Sequence, residues 1–76
     1  MPHVSIKIIT GRSEEQKQKL ADQIVKDLMV IAGCDEHSVS VSIEEIDQKN
    51  WTEEVYKRDI APKWNTLYKK PGYNPL

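Results

Sequence analysis

The sequence predicts an α+β chain organised as a β-α-β protomer, with two parallel strands, one long crossover helix and short C-terminal helices. Three observations predict it: two segments that alternate apolar and polar residues, an amphipathic stretch of helical period between them, and a connection too long for a hairpin.

The first strand runs from Pro2 to Ile9, where Val4, Ile6 and Ile8 alternate with His3, Ser5 and Lys7. Thr10-Gly11-Arg12 breaks the pattern. Ser13, followed three residues later by Gln16, reads as a capping box and starts the helix. Leu20, Ile24, Leu28 and Ile31 share one helical stripe, with Ala21, Val25 and Ala32 beside it. Gly33 ends the helix, since glycine reaches the left-handed conformation common at helix C-termini.

Val39, Val41 and Ile43 alternate with Ser38, Ser40, Ser42 and Glu44, which predicts a second strand from Ser38 to about Ile46. A crossover of this length joins parallel strands in the right-handed sense and covers one face of the sheet. Parallel sheets are normally covered on both faces, so the sheet is expected to be completed by oligomerisation. Asp47 to Asn50 reads as a turn. Asn50 with Glu53 is expected to cap a short helix from Trp51 to about Lys57, and Asp59 a second one with Pro62 in its first turn. Ile60, Trp64, Leu67 and Tyr68 form its apolar stripe. Pro71-Gly72 stops it, and Tyr73 to Leu76 form a tail.

The 76 residues fit one domain, 1-76, with no repeat or linker. Eleven basic residues against twelve acidic ones give a net charge of −1, which lacks the positive excess of a nucleic-acid binder. No apolar run approaches the roughly 20 residues needed to span a membrane, and no signal-peptide core is present, so a soluble cytoplasmic protein is expected. The single cysteine, Cys34, has no intrachain partner, and neither it nor the two histidines sit in a metal-ligand spacing. With disulfide and metal set aside, association with further copies is the expected support for so small a chain.

Gly-rich phosphate loops, a G-x-S-x-G elbow and a Cys-His pairing are all missing. The unusual feature is Pro2, which becomes a terminal secondary amine if Met1 is removed. A free α-amino group titrates at about 7.7 to 8.0, and an apolar site lowers that value, so the amine can act as a general base at neutral pH.

The start Met-Pro-His-Val-Ser-Ile-Lys-Ile, the loop Gly11-Arg12-Ser13 with Glu15-Gln16-Lys17, and Ser38-Val39-Ser40-Val41 together resemble the 4-oxalocrotonate tautomerase family. Trp51, Ile60-Ala61-Pro62 and Lys69-Lys70-Pro71-Gly72-Tyr73 look more specifically like its PptA branch. The resemblance implies a cofactor-independent isomerase, needing neither metal nor organic cofactor, that acts on a small enol or keto acid such as phenylpyruvate. Pro2 would be its general base and acid. Arg12 would hold the substrate carboxylate in bidentate fashion, its alternative being a solvated loop residue. Trp51 would wall the pocket, its alternative being a core or interface tryptophan. Ser40 stands where better-known members carry a second-strand arginine, which argues against a diacid and for a monoacid with an aromatic or apolar tail. Ser38 and Ser40 face away from the helix and can line the pocket, while Lys7, Lys49 and Arg58 are candidate substitutes for the missing cation across a subunit boundary, the alternative for each being a solvated surface charge. The C-terminal region favours a dimer over a hexamer, again by analogy. His3 and His37 read as surface or interface residues, Cys34 as a half-buried apolar one and Trp64 as core or interface. Two other readings compete: hydration, dehalogenation or decarboxylation of an unsaturated acid by the same proline, and a non-catalytic oligomeric binding module in which Pro2 merely begins an edge strand.

Overall fold

A computed structural model describes residues 1–76. β1 spans His3–Ile9, α1 spans Glu14–Ala32 and β2 spans Ser40–Ile46, giving the expected β-α-β order. The strands are parallel, in register from His3 opposite Ser40 to Ile9 opposite Ile46. Since side chains alternate along a strand, Val4, Ile6, Val41 and Ile43 share one sheet face, and Ser5, Lys7, Ile9, Ser42 and Ile46 share the other. α1 lies over the first face, where Ala21 borders Val41 and Ile43 and Lys17 reaches Glu45. The C-terminal segment lies over the second, where Asp59 reaches Lys7.

The capping box forms as expected: the Gln16 amide donates to Ser13 Oγ at 3.1 Å, and the Ser13 amide donates to Gln16 Oε1 at 2.9 Å. At the other end Gly33 adopts φ 69° and ψ 25°, and its N–H donates to the Leu28 carbonyl. The left-handed turn satisfies a carbonyl that the helix leaves unpaired.

The second strand starts later than the alternation suggests. Glu36–Ser38 form a 3-10 turn, because the Asp35 side chain accepts from the His37 amide and the Asp35 carbonyl accepts from Ser38 Oγ. Ser38 is therefore off the sheet. The two expected C-terminal helices also differ: a π-helical segment, Thr52–Ile60, runs directly into a 3-10 segment, Ala61–Thr66. Neither has a side-chain cap. Glu53 pairs with Lys57 at 2.6 Å and Asp59 with Lys7, so both acids are drawn into ion pairs instead of capping amides. Pro62 keeps its place in a first turn. Leu67 leaves helical geometry at ψ 127°, which puts Tyr68 in solvent and off the stripe with Ile60 and Trp64.

Only Ile46, Val55 and Tyr56 are buried, so the core sits where β2 ends against the π-helical segment. α1 buries no residue fully. Ile24 and Leu28 are half-buried, whereas Leu20 is 39% exposed and Ile31 83% exposed, so the apolar stripe is wider than one two-stranded sheet can cover. The sheet has only two strands and each keeps a free edge. No helix is long and apolar enough to cross a membrane.

Candidate active site

Pro2 precedes β1 and is half-buried, and its carbonyl accepts the Ser40 amide at 3.2 Å. This bond ties the chain start to the head of β2. The Ser40 hydroxyl meets His3 Nδ1 at 2.7 Å, so Ser40 holds both Pro2 and His3.

The loop after β1 is fixed from three sides. The Thr10 amide donates to the Ile46 carbonyl at 3.1 Å, and the Gly11 amide donates to Glu45 Oε2 at 3.3 Å. Gly11 has φ 128°, a region that side chains with a Cβ rarely enter. Arg12 Nη1 then donates to the Ile9 carbonyl at 3.0 Å, which sets the guanidinium beside the end of β1. Glu45 is itself held by Lys17, whose ammonium and the Gly11 amide keep the carboxyl below its usual range. The Lys17 pKa is raised by its contact with Glu14 and, next, by the one with Glu45.

A cavity of about 450 Å³ opens at this end, lined by Arg12, Lys7, Ile9, Trp51, Thr52 and Tyr73 among others. Its polar groups converge on an apolar wall. Trp51 follows the 3-10 turn Gln48–Asn50, whose leading residue Asp47 accepts the Lys49 amide, and this turn aims the indole back toward β1. Trp51 Nε1 donates to Tyr73 Oη at 2.7 Å. Tyr73 also packs on Tyr56, with ring centroids 5.6 Å apart and planes inclined at 52°. The tail is thus ordered onto the core and closes one side of the cavity.

The geometry joins Arg12 and Trp51 and separates both from Pro2 and Ser40. A seven-residue β1 lies between the two groups, a span of roughly 20 Å at a rise of about 3.3 Å per residue. One copy of the chain does not bring the proline to the arginine. Lys7 lines the cavity and is paired with Asp59, while Lys49 and Arg58 are exposed and do not line it. His37 is exposed and Cys34 half-buried. Lys7, a candidate substitute cation by sequence, does line the cavity, whereas Ile8, Ile9, Gln48, Thr52 and Tyr73 were not read as pocket residues. Tyr73 gave no periodic signal because it lies beyond the last helix.

A family model for tautomerase enzymes matches residues 2–56. A probable tautomerase of Xylella fastidiosa is 41% identical over 76 residues, covering 100% of this chain and 93% of that protein. Tautomerase PptA of Cronobacter sakazakii is 38% identical over 74 residues, covering 96% of this chain and 97% of that protein. Among solved structures, a 4-oxalocrotonate tautomerase isozyme from Methylibium petroleiphilum superposes with a TM-score of 0.63 at 32% identity, covering 66% of this chain and 81% of that one. With the β-α-β frame, the full-length relatives and the family match in agreement, the chain belongs to the tautomerase family of isomerases.

Proposed function

We propose that this chain is a cytoplasmic, homo-oligomeric keto-enol tautomerase of one domain, acting on a 2-oxo or 2-hydroxy-enoic acid such as phenylpyruvate. The observation that carries this reading is the meeting of Arg12 and Trp51 in one apolar-walled cavity of a tautomerase-family chain. Arg12 binds the substrate carboxylate with its planar pair of donors. Trp51 and Ile9 take the apolar tail. Met1 is fully exposed ahead of β1, where its removal uncovers the Pro2 amine. That amine, in its neutral form, removes the enol hydroxyl proton, and the ammonium so formed delivers a proton to C3 as the C2 carbonyl forms. Proton and electron pair balance within the substrate and Pro2.

Because β1 separates Pro2 from Arg12, the working site is assembled between copies: one copy supplies Pro2 and Ser40, and its neighbour supplies Arg12 and Trp51. The exposed Leu20, Val30 and Ile31 on α1 and the free strand edges support association. A dimer is the favoured assembly, since the C-terminal segment already covers part of the second sheet face. The test is the rate at which enolic phenylpyruvate ketonises, followed by ultraviolet absorbance, for processed wild type and Pro2→Ala. A large loss in a folded, associated variant supports the reading; equal rates, or no wild-type rate above buffer, refute it.

A further inference from the structure

The cavity holds a second cation whose charge is already matched. Lys7 projects from the same face of β1 as Ile9 and lines the cavity with Arg12. Its Nζ donates to Asp59 Oδ2 at 2.6 Å, and the two side chains are 31% and 36% exposed. Glu44 stands opposite Lys7 in the strand register, but the Lys7 ammonium pairs with Asp59 alone. Arg12 makes no ion pair and spends one N–H on the Ile9 carbonyl, which leaves further donors free.

We propose that Asp59 is a specificity-determining residue: by neutralising Lys7 it leaves Arg12 as the one unpaired cation of the cavity, so that the pocket takes a monocarboxylate with an apolar tail and rejects a dicarboxylate. The inference rests on reading this cavity as the substrate site. A second carboxylate approaching Lys7 meets a neutral pair, and it binds there only by displacing Asp59. The Asp59 carboxyl stays ionised at neutral pH, because its hydrogen bond from the Lys7 ammonium holds it below its usual range. The helical path through Thr52–Ile60 is what sets Asp59 over Lys7, and Trp51 and Tyr73 give the tail an apolar surface in place of a second cation. Lys63 lies in the adjoining hollow beyond the pair, outside the cavity itself.

The test uses two acids that differ by one carboxylate: 3-phenylpropanoate and 3-(4-carboxyphenyl)propanoate. Binding to the processed full chain is read by tryptophan fluorescence and calorimetry, so turnover is not required. Wild type is expected to bind the monocarboxylate more tightly. Asp59→Asn keeps an acceptor for Lys7 but removes the negative charge, and is expected to tighten dicarboxylate binding on the order of tenfold, with a smaller change for the monocarboxylate. Adding Lys7→Met should remove that gain. Lys7→Gln alone, which leaves Asp59 unmatched, should weaken binding of both acids and serves if Asp59→Asn does not fold. An unchanged preference in Asp59→Asn, or a gain that persists without Lys7, overturns the role of Asp59 while leaving the cavity as a carboxylate site. Failure of wild type to bind either acid refutes the cavity reading and this inference together.

Discussion

Trp51 Nε1 donates to Tyr73 Oη at 2.7 Å, joining the first residue of the C-terminal helical stretch to the tail that follows its end. An indole N–H can only donate, so the tyrosine oxygen is the acceptor in this bond. Tyr73→Phe therefore loses one hydrogen bond, an effect of about 1 kcal/mol, while keeping the contact with Tyr56. Tyr73→Ala loses both and should open the cavity. The expected outcome is a severalfold rise in KM for Tyr73→Phe and a larger rise for Tyr73→Ala, measured with enolic phenylpyruvate, with the melting temperature lowered by about 4–8 °C in the first and further in the second.

Arg12 is the carboxylate anchor in this account, and its place depends on the bond to Ile9 and on the left-handed Gly11. Arg12→Ala should raise KM by one to two orders of magnitude, since charge-assisted hydrogen bonds contribute about 1.5–3 kcal/mol. Arg12→Lys should recover part of that loss but not the bidentate geometry. Steady-state kinetics on both variants decide it.

The loop carrying Arg12 is braced by Glu45, which accepts from the Gly11 amide and from Lys17. Glu45 has its pKa lowered in the folded chain, so its stabilisation is complete above about pH 4.5 and is lost as pH falls through the depressed value. Lys17 has its pKa raised, so its contribution is complete below about pH 10.5 and is lost as pH rises through the raised value. Wild type should thus lose stability toward acid more steeply than Glu45→Gln, in which the titrating carboxyl is gone. Thermal melts from neutral pH to pH 3 check this.

Val55 is 4% exposed at the one place where the chain has a closed core. Val55→Ala removes two buried methylene equivalents and should cost roughly 2 kcal/mol. Chemical denaturation should show the loss, and the cavity should loosen with it because Trp51 precedes Val55 by one helical turn.

Much of this was legible in the sequence where local chemistry decides. The alternation of Val4, Ile6 and Ile8, the Ser13–Gln16 box and the Gly33 stop each have one local cause, and each appears where its pattern predicts. Asp59 and Glu53 were misjudged because an acid near a helix start suits a cap equally well; the Glu53–Lys57 pair has i,i+4 spacing that the sequence carries, whereas only the folded chain brings Lys7 within reach of Asp59. Ser38 left the strand for a similar reason, held by a turn around Asp35. In the site, Arg12 and Trp51 were visible from the resemblance and lie together. Their separation from Pro2 follows from the length of β1, which sets the proline and the Arg12 loop at opposite ends of the strand. Tyr73 depends on the tail folding back, which no periodicity encodes.

The most direct test of a site built between copies is complementation. Pro2→Ala, which lacks the base, and Arg12→Ala, assayed at a substrate concentration far below its raised KM, each run well below wild type on enolic phenylpyruvate; the two chains are unfolded together and refolded as a mixture. If one copy supplies Pro2 and its neighbour supplies Arg12, some mixed assemblies hold an intact site, and activity returns in the mixture but in neither variant refolded alone. A mixture that associates normally and stays as slow as its parents would contradict the account.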